Sequence, residues 1–314
     1  MNLVKYLIPR FFVLVFFCLA FSCKKHNDFA NESAQDAVDM RVAVGETDEL
    51  LKNINLLISE QFVLRGKPQA GGSTATGVCG IEFDSTRLTS GYLDINFLGV
   101  PCGNRTVQGK VSVKFDNYPL TKWKNHGAVA TITLSAYKVK NNADGKTWQF
   151  DGVLSMTNQG SGTFYDIMYL NQAFVLFDIK SEKIKFTFGT GDYANVYMHR
   201  RLRYTYASGG HISCAVEGLA EVNGVQNAEC WGENRNNEDF ISAVSNNYRW
   251  TTVCGAMAPT EGETQLHYVT KDIVLKSSYS VDQKGASVNS GCAYGYKVTW
   301  NLRNKTNTRI FSYF

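Results

Sequence analysis

Apolar and polar side chains alternate along most of this chain, and a period of two residues commits a backbone to strands with one buried face. Tyr92-Leu-Asp-Ile-Asn-Phe97 shows the pattern, and it returns at Val107–Phe115, Val129–Val139, Trp148–Met156, Ala173–Asp178 and Ile184–Phe188. A longer run spans Asn195–Ala207 and closes at Ser208-Gly-Gly210. Tyr248–Cys254, Leu266–Leu275, Tyr296–Leu302 and Thr308–Phe314 follow. Turn-forming clusters separate the runs, among them Asn142-Ala-Asp-Gly145 and the strong hairpin signal Asn223-Gly224. Glu233–Asp239 reads as a polar loop. Only 5 prolines interrupt 314 residues. Many short strands with regular turns and little helix predict an all-β fold of antiparallel, sandwich-like sheets.

One segment departs from this period. Between Glu46 and Gln61, Leu50, Leu51, Ile54, Leu57 and Ile58 recur at helical spacing. Thr47 suits a cap, and Gly66 with Pro68 marks a stop. We expect one N-terminal helix within residues 46–66, docked on the sheets through that apolar stripe. Residues 23–45 are polar and read as a flexible tether.

The first residues have another character. Lys5 and Arg10 precede the apolar run FFVLVFFCLAF at 11–21, the layout of a secretory signal and too short for a spanning helix of about 20 residues. Ser22 directly before Cys23 resembles the lipobox of bacterial lipoproteins, although Ala20 stands where leucine is commonest. That resemblance implies cleavage after residue 22 and lipidation of Cys23, giving a stable anchor from several acyl chains. An ordinary cleaved signal and an uncleaved anchor are the alternatives. Lys24 and Lys25 replace the acidic run of surface-exposed lipoproteins, which favours the periplasmic side of the outer membrane. Removing residues 1–22 leaves 30 Lys and Arg against 28 Asp and Glu. That balance gives no reason to invoke nucleic acid.

Of 8 cysteines, Cys18 leaves with the signal and Cys23 takes lipid. The remaining six, Cys79, Cys102, Cys214, Cys230, Cys254 and Cys292, suit disulfides in an oxidising compartment, with about 15 pairings open. Order along the chain favours Cys79–Cys102, Cys214–Cys230 and Cys254–Cys292. The simplest pairing about Asn223-Gly224 does not set Cys214 opposite Cys230, so the middle bond needs a bulge or a longer loop. No pair has zinc spacing.

Two cysteine units carry a family likeness. The first contains Cys79, Leu93-Asp-Ile-Asn-Phe97, Gly99, Cys102 and Gly109-Lys-Val-Ser-Val113; the second contains Cys254, Gly262, Cys292 and Lys297-Val-Thr299. Their order resembles that of Bacteroidota lipoproteins of unassigned function. In this chain the segment after Cys79 is Gly-Ile-Glu-Phe, not a Val-Thr-Val type of strand, and the second unit is degenerate. The repeat predicts two related halves, residues 67–195 and 196–314.

Catalytic signals are sparse. The 5 histidines, at 26, 126, 199, 211 and 267, show no metal spacing. Gly160-Ser161-Gly162 lacks the GxSxG elbow, and Gly189-Thr-Gly191-Asp192 lacks a third glycine and a following helix. Asn234–Asp239 carries oxygen ligands without the register of an EF-hand. We therefore expect no metal, cofactor or catalytic residue. Two features suggest binding. On the strand 195–207, His199, Arg201 and Arg203 share one face, suited to an anionic ligand or simply solvated. Met198, Arg200, Leu202, Tyr204 and Tyr206 share the other. The 5 tryptophans, at 123, 148, 231, 250 and 300, are either core or a glycan-stacking platform. The expectation is a lipid-anchored envelope protein with a non-catalytic binding, adhesive or structural role and a glycan or protein partner. A glycan-active enzyme and an apolar-ligand carrier are the alternatives.

Overall fold

A computed structural model describes residues 34–59, 78–84, 86–207, 209–271, 273–302 and 305–313. The signal, Cys23, His26, residues 24–33 of the tether and the 70–77 stretch lie outside these residues. The fold is mostly antiparallel β sheet with an N-terminal helix, α1, spanning at least residues 34–59. In chain order the strands are β1 (Ile81–Asp84), β2 (Tyr92–Cys102), β3 (Arg105–Phe115), β4 (Val129–Asn141) and β5 (Thr147–Asn158). A short helix, α2 (Phe164–Tyr169), precedes β6 (Val175–Ser181), β7 (Ile184–Phe188), β8 (Tyr193–Ala207) and β9 (His211–Gly218). Then come β10 (Ala220–Val222), β11 (Val225–Glu233), β12 (Asp239–Thr251), β13 (Glu261–Tyr268), β14 (Ile273–Val281), β15 (Gly295–Leu302) and β16 (Lys305–Ser312).

Period-two alternation sets the faces as expected. On β3, Gln108, Lys110, Ser112 and Lys114 are exposed while Val111, Val113 and Phe115 are buried. All sixteen strands join one sheet that runs from β1 to β16. The expected boundary at 195/196 falls inside β8, which pairs back to β6 and β7 and forward to β9 and β11. The all-β, antiparallel expectation holds, in one sheet that curves about the N-terminal helix.

α1 supplies the reason for that curvature. Glu46 and Asp48 project about 200° apart around a helix of 3.6 residues per turn. They reach Arg105 on β3 and Arg200 on β8. Arg41 lies over the rings of Tyr248 on β12 and Tyr279 on β14, and the Asn55 amide contacts Met156 Sδ on β5 at 3.4 Å. The sheet therefore encloses the helix from several directions. Leu50, Leu51, Ile54, Leu57 and Ile58 are buried as predicted. The helix begins well before Glu46, however, and the expected tether is helical and largely buried from Ala34 to Gly45. Its polarity misleads because Asp36, Asp39, Arg41, Glu46 and Asp48 are themselves buried and answered by partners on distant strands and loops.

β9 and β11 lie end to end between β8 and β12. Arg200–Ala207 pairs with β9 and Asn195–Met198 with β11, and β12 divides in the same way. β10 stands off this path, joined to β11 by Asn223-Gly224, whose φ values of 49° and 80° meet the left-handed demand of a tight hairpin. The run read as a single strand, Leu266–Leu275, is instead a hairpin: β13 ends at Tyr268 and β14 starts at Ile273.

Disulfides join Cys79–Cys102 and Cys254–Cys292. The first ties the entry to β1 to the end of β2, and the second links the β12–β13 connection to the β14–β15 connection, so the two units differ in topology. The expected Cys214–Cys230 bond is absent, and both thiols are free and buried. Along β12, Cys214 faces Trp250 and Cys230 faces Ser242. Those positions are roughly 26 Å apart at about 3.3 Å per residue, against the ~7 Å Cα limit for a disulfide.

Candidate functional site

The interior holds a polar network around α1. Arg200, fully buried, donates to Asp48, and its Nη1 lies 3.7 Å from Glu229 Oε2. Glu229 also accepts from Tyr248 OH at 2.9 Å and Ser242 Oγ at 3.3 Å. Arg41 donates to the carbonyl of Ala256. Burial pushes the Glu229 carboxyl above its ordinary range, opposed by Arg200 and the Tyr248 hydroxyl. Beside Arg41, Glu229, Ser242, Thr264 and Tyr279 lies a cavity of about 10 Å³, room for one water. Buried throughout, this network fastens the helix to the sheet and offers no entry to a larger ligand.

A second constellation fastens the start of α1. Asp36 accepts from Tyr268 OH at 2.6 Å and Asn234 Nδ2 at 2.8 Å, and Asp39 accepts from Arg235 Nε at 2.8 Å. Burial raises each carboxyl to about 6 despite these donors. Asn234 also accepts from the backbone N–H groups of Asn236 and Glu238 at 2.9 Å. The loop weighed for calcium is thus a structural turn, and among the described residues no group of three candidate ligands could hold a metal ion.

A cleft of about 380 Å³ opens where α1, the lower ends of β3–β5 and the end of β16 meet. From α1 come Gln35, Val38, Val42 and Glu46; from the sheet come Asn104, Arg105, Val139, Asn141 and Trp148; Phe311 and Tyr313 close the far wall. Its charges are matched: Arg105 donates to Glu46 and lies 3.5 Å from Glu49, and Lys146 lies 3.0 Å from Asp144. Trp148 and Phe311 are half-buried, with amide groups nearby. The size falls within the range of small-ligand sites.

His199, Arg201 and Arg203 do share the outer face of β8, but their charge is largely engaged. Arg201 donates to Asp178 at 2.7 and 3.0 Å and stands across from Glu217 on β9, while Arg203 lies 4.3 Å from the Phe174 ring centroid. Burial and Lys180 hold the His199 imidazole below its usual value. Trp123, Trp250 and Trp300 are core; Trp231 stacks on Tyr197 at 6.1 Å, and only Trp148 among the five lines the cleft. His126 bonds the Gln159 carbonyl at 2.8 Å.

Sequence reasoning placed Arg200 on an apolar strand face without drawing the consequence. A charged side chain there signals a buried partner. Gln35, Glu46, Asn104, Arg105 and Phe311 gave no local signal, because they converge only when the sheet has closed around α1. No family model, curated protein or solved structure matches this chain.

Proposed function

We propose that this chain is a lipid-anchored protein of the cell envelope, held through Cys23 on the periplasmic side of the outer membrane, that binds a neutral glycan without transforming it. The observation carrying the binding role is the cleft, where Trp148 and Phe311 lie beside Gln35, Asn104 and Asn141 and the charges are already paired. Sugar rings present apolar C–H faces and hydroxyl edges, which suit aromatic faces and amide groups respectively. The signal pattern, Ser22-Cys23, the two disulfides and the likeness to Bacteroidota lipoproteins support the placement. Glycan-array screening of the unlipidated mature chain should return neutral oligosaccharides, with Trp148→Ala weakening them at least tenfold. Binding unaffected by Trp148→Ala, or no glycan bound at all, rejects this role. Cys23→Ser should release the protein from the envelope fraction, and continued retention there counts against the anchor.

One observation favours a glycan-active enzyme as the second reading. Glu46 and Asp144 line the same cleft with opposite shifts. Burial raises Glu46 against the pull of Arg105; at Asp144 slight burial is outweighed by hydrogen bonds from Lys146, which lower it. Divergent carboxyl groups are how glycosidases divide acid and base roles. Product release lost in both Glu46→Gln and Asp144→Asn would establish that reading. The apolar carrier has less support, since α1 occupies the volume inside the sheet that such a cargo would need.

A further inference from the structure

The connections β3–β4 (residues 116–128) and β5–β6 (residues 159–174) lock together at one end of the sheet. The Asn158 amide donates to the carbonyls of Trp123 and Gly162, both at 2.8 Å, and Gly162 N donates to Lys124 O at 2.8 Å. Gly127 N donates to Asn158 O at 2.7 Å, and Trp123 stacks on Phe177 with centroids 5.4 Å apart. On this fixed base three large apolar side chains stand in solvent: Leu120 at 90% exposure, Tyr169 at 62% and Leu170 at 60%. Lys122 and Lys124 follow Leu120 by two and four residues, are exposed, and make no ion pair among the described residues. The acids of the two loops are engaged: Asp116 lies 3.8 Å from Lys114, and Asp166 accepts from Thr163 N at 2.6 Å and Thr163 Oγ1 at 2.7 Å. With Asp116 paired to Lys114, Lys122 and Lys124 outweigh the capping Asp166, so this surface presents apolar area and a net positive charge.

We propose that this double loop docks on an anionic lipid surface, with Leu120, Tyr169 and Leu170 entering the headgroup boundary and Lys122 and Lys124 meeting lipid phosphates. Leucine and tyrosine tips beside lysines are the side chains that combine interfacial insertion with attraction to anionic headgroups. Charge complementarity selects this occupant over a second copy of the chain, whose same face would bring lysines against lysines. The loops lie away from the cleft, which is lined by the first half of α1. α1 enters the sheet beside Asn234 and Tyr268, and its far end approaches Met156, two residues before Asn158 at the base of the loops. About 29 Å of helix separates Asp36 from Asn55 at 1.5 Å per residue.

The test is co-sedimentation of the unlipidated mature chain, residues 24–314, which contains every described element, with vesicles of phosphatidylglycerol or of phosphatidylcholine. Binding is expected to phosphatidylglycerol and at least tenfold weaker to phosphatidylcholine. Leu120→Ser with Tyr169→Ser and Leu170→Ser should reduce it tenfold or more at unchanged melting temperature. Lys122→Gln with Lys124→Gln, which replaces two exposed side chains, should reduce it and flatten its salt dependence, so the idea stays testable if the triple variant fails to fold. No binding to phosphatidylglycerol, or binding untouched by the lysine pair, overturns the proposal. Self-association in sedimentation velocity that the triple variant abolishes would assign the surface to a second copy instead.

Discussion

Arg200→Met removes the cation that two buried carboxyl groups share. Arg200 and Asp48 have side chains at zero exposure and Glu229 is at 3%, so water cannot take over the lost interaction. The two acids are not equally affected. Glu229 keeps the hydroxyls of Tyr248 and Ser242, whereas Asp48 loses its side-chain donor and already has Oδ2 without a hydrogen-bond partner. Breaking one side of a buried pair costs about 3–5 kcal/mol, and we place this case in that range, carried mainly by Asp48. Restoring the balance separates charge from packing. Arg200→Met combined with Asp48→Leu should regain most of the loss, because an apolar replacement of a whole buried pair is often near neutral. Urea denaturation would show the single variant's midpoint falling by 1–2 M at an m-value of about 2–3 kcal/mol/M, with the double variant close to the parent. A loss under about 1 kcal/mol in the single variant, or a double variant as unstable as the single, would refute the assignment of this network as the fastening of α1.

Acid titration gives a second expectation. Asp36 and Asp39 are raised to about 6 in the fold from 3.8, chiefly by burial. The folded state therefore holds protons between pH 4 and 6 that the unfolded chain has released, and stability should fall as pH rises through that window, then level off. The limit is about 3 kcal/mol per carboxyl, and Asp36→Asn with Asp39→Asn should flatten thermal melts across it. Alkylation of the unreduced mature chain should leave Cys214 and Cys230 unlabelled until denaturant is added, and then label both; peptide mapping that joins them would contradict the fold. Arg201→Ala with Arg203→Ala should change chemical stability by under about 1 kcal/mol, since Arg201 and Asp178 are partly exposed at 34% and 18%. A larger loss would mean that the outer face of β8 is covered.

Strands were legible because their outer faces meet water, and solvent imposes alternation one strand at a time. The hairpin at Asn223-Gly224 was readable for the same reason, being set by backbone conformation at two residues. The helix was half legible. Its apolar second half, Leu50–Ile58, announces itself, while its first half carries Asp36, Asp39, Arg41, Glu46 and Asp48, which read as solvated until Arg105, Arg200 and Arg235 are known to reach them. Cys214 and Cys230 looked paired because sequence order is blind to β9 and β11 lying end to end. Leu266–Leu275 hid a turn at residues 269–272, where Val269-Thr-Lys-Asp272 carries neither glycine nor proline. The cleft was invisible since its walls come from segments more than two hundred residues apart, Gln35 and Phe311 among them.

The position of α1 has a kinetic consequence. Its ion-pair partners sit as far along the chain as Arg105, Arg200 and Arg235, so each contact closes a long loop before it stabilises anything, the condition that slows folding. Synthesis from the N-terminus eases this, because the rod is complete before the first strand exists and each later hairpin can add to a surface already in place. Refolding of the whole chain from denaturant has no such order. It should be slower and lose more chain to aggregation than vectorial emergence does, with open strand edges waiting for the helix they enclose.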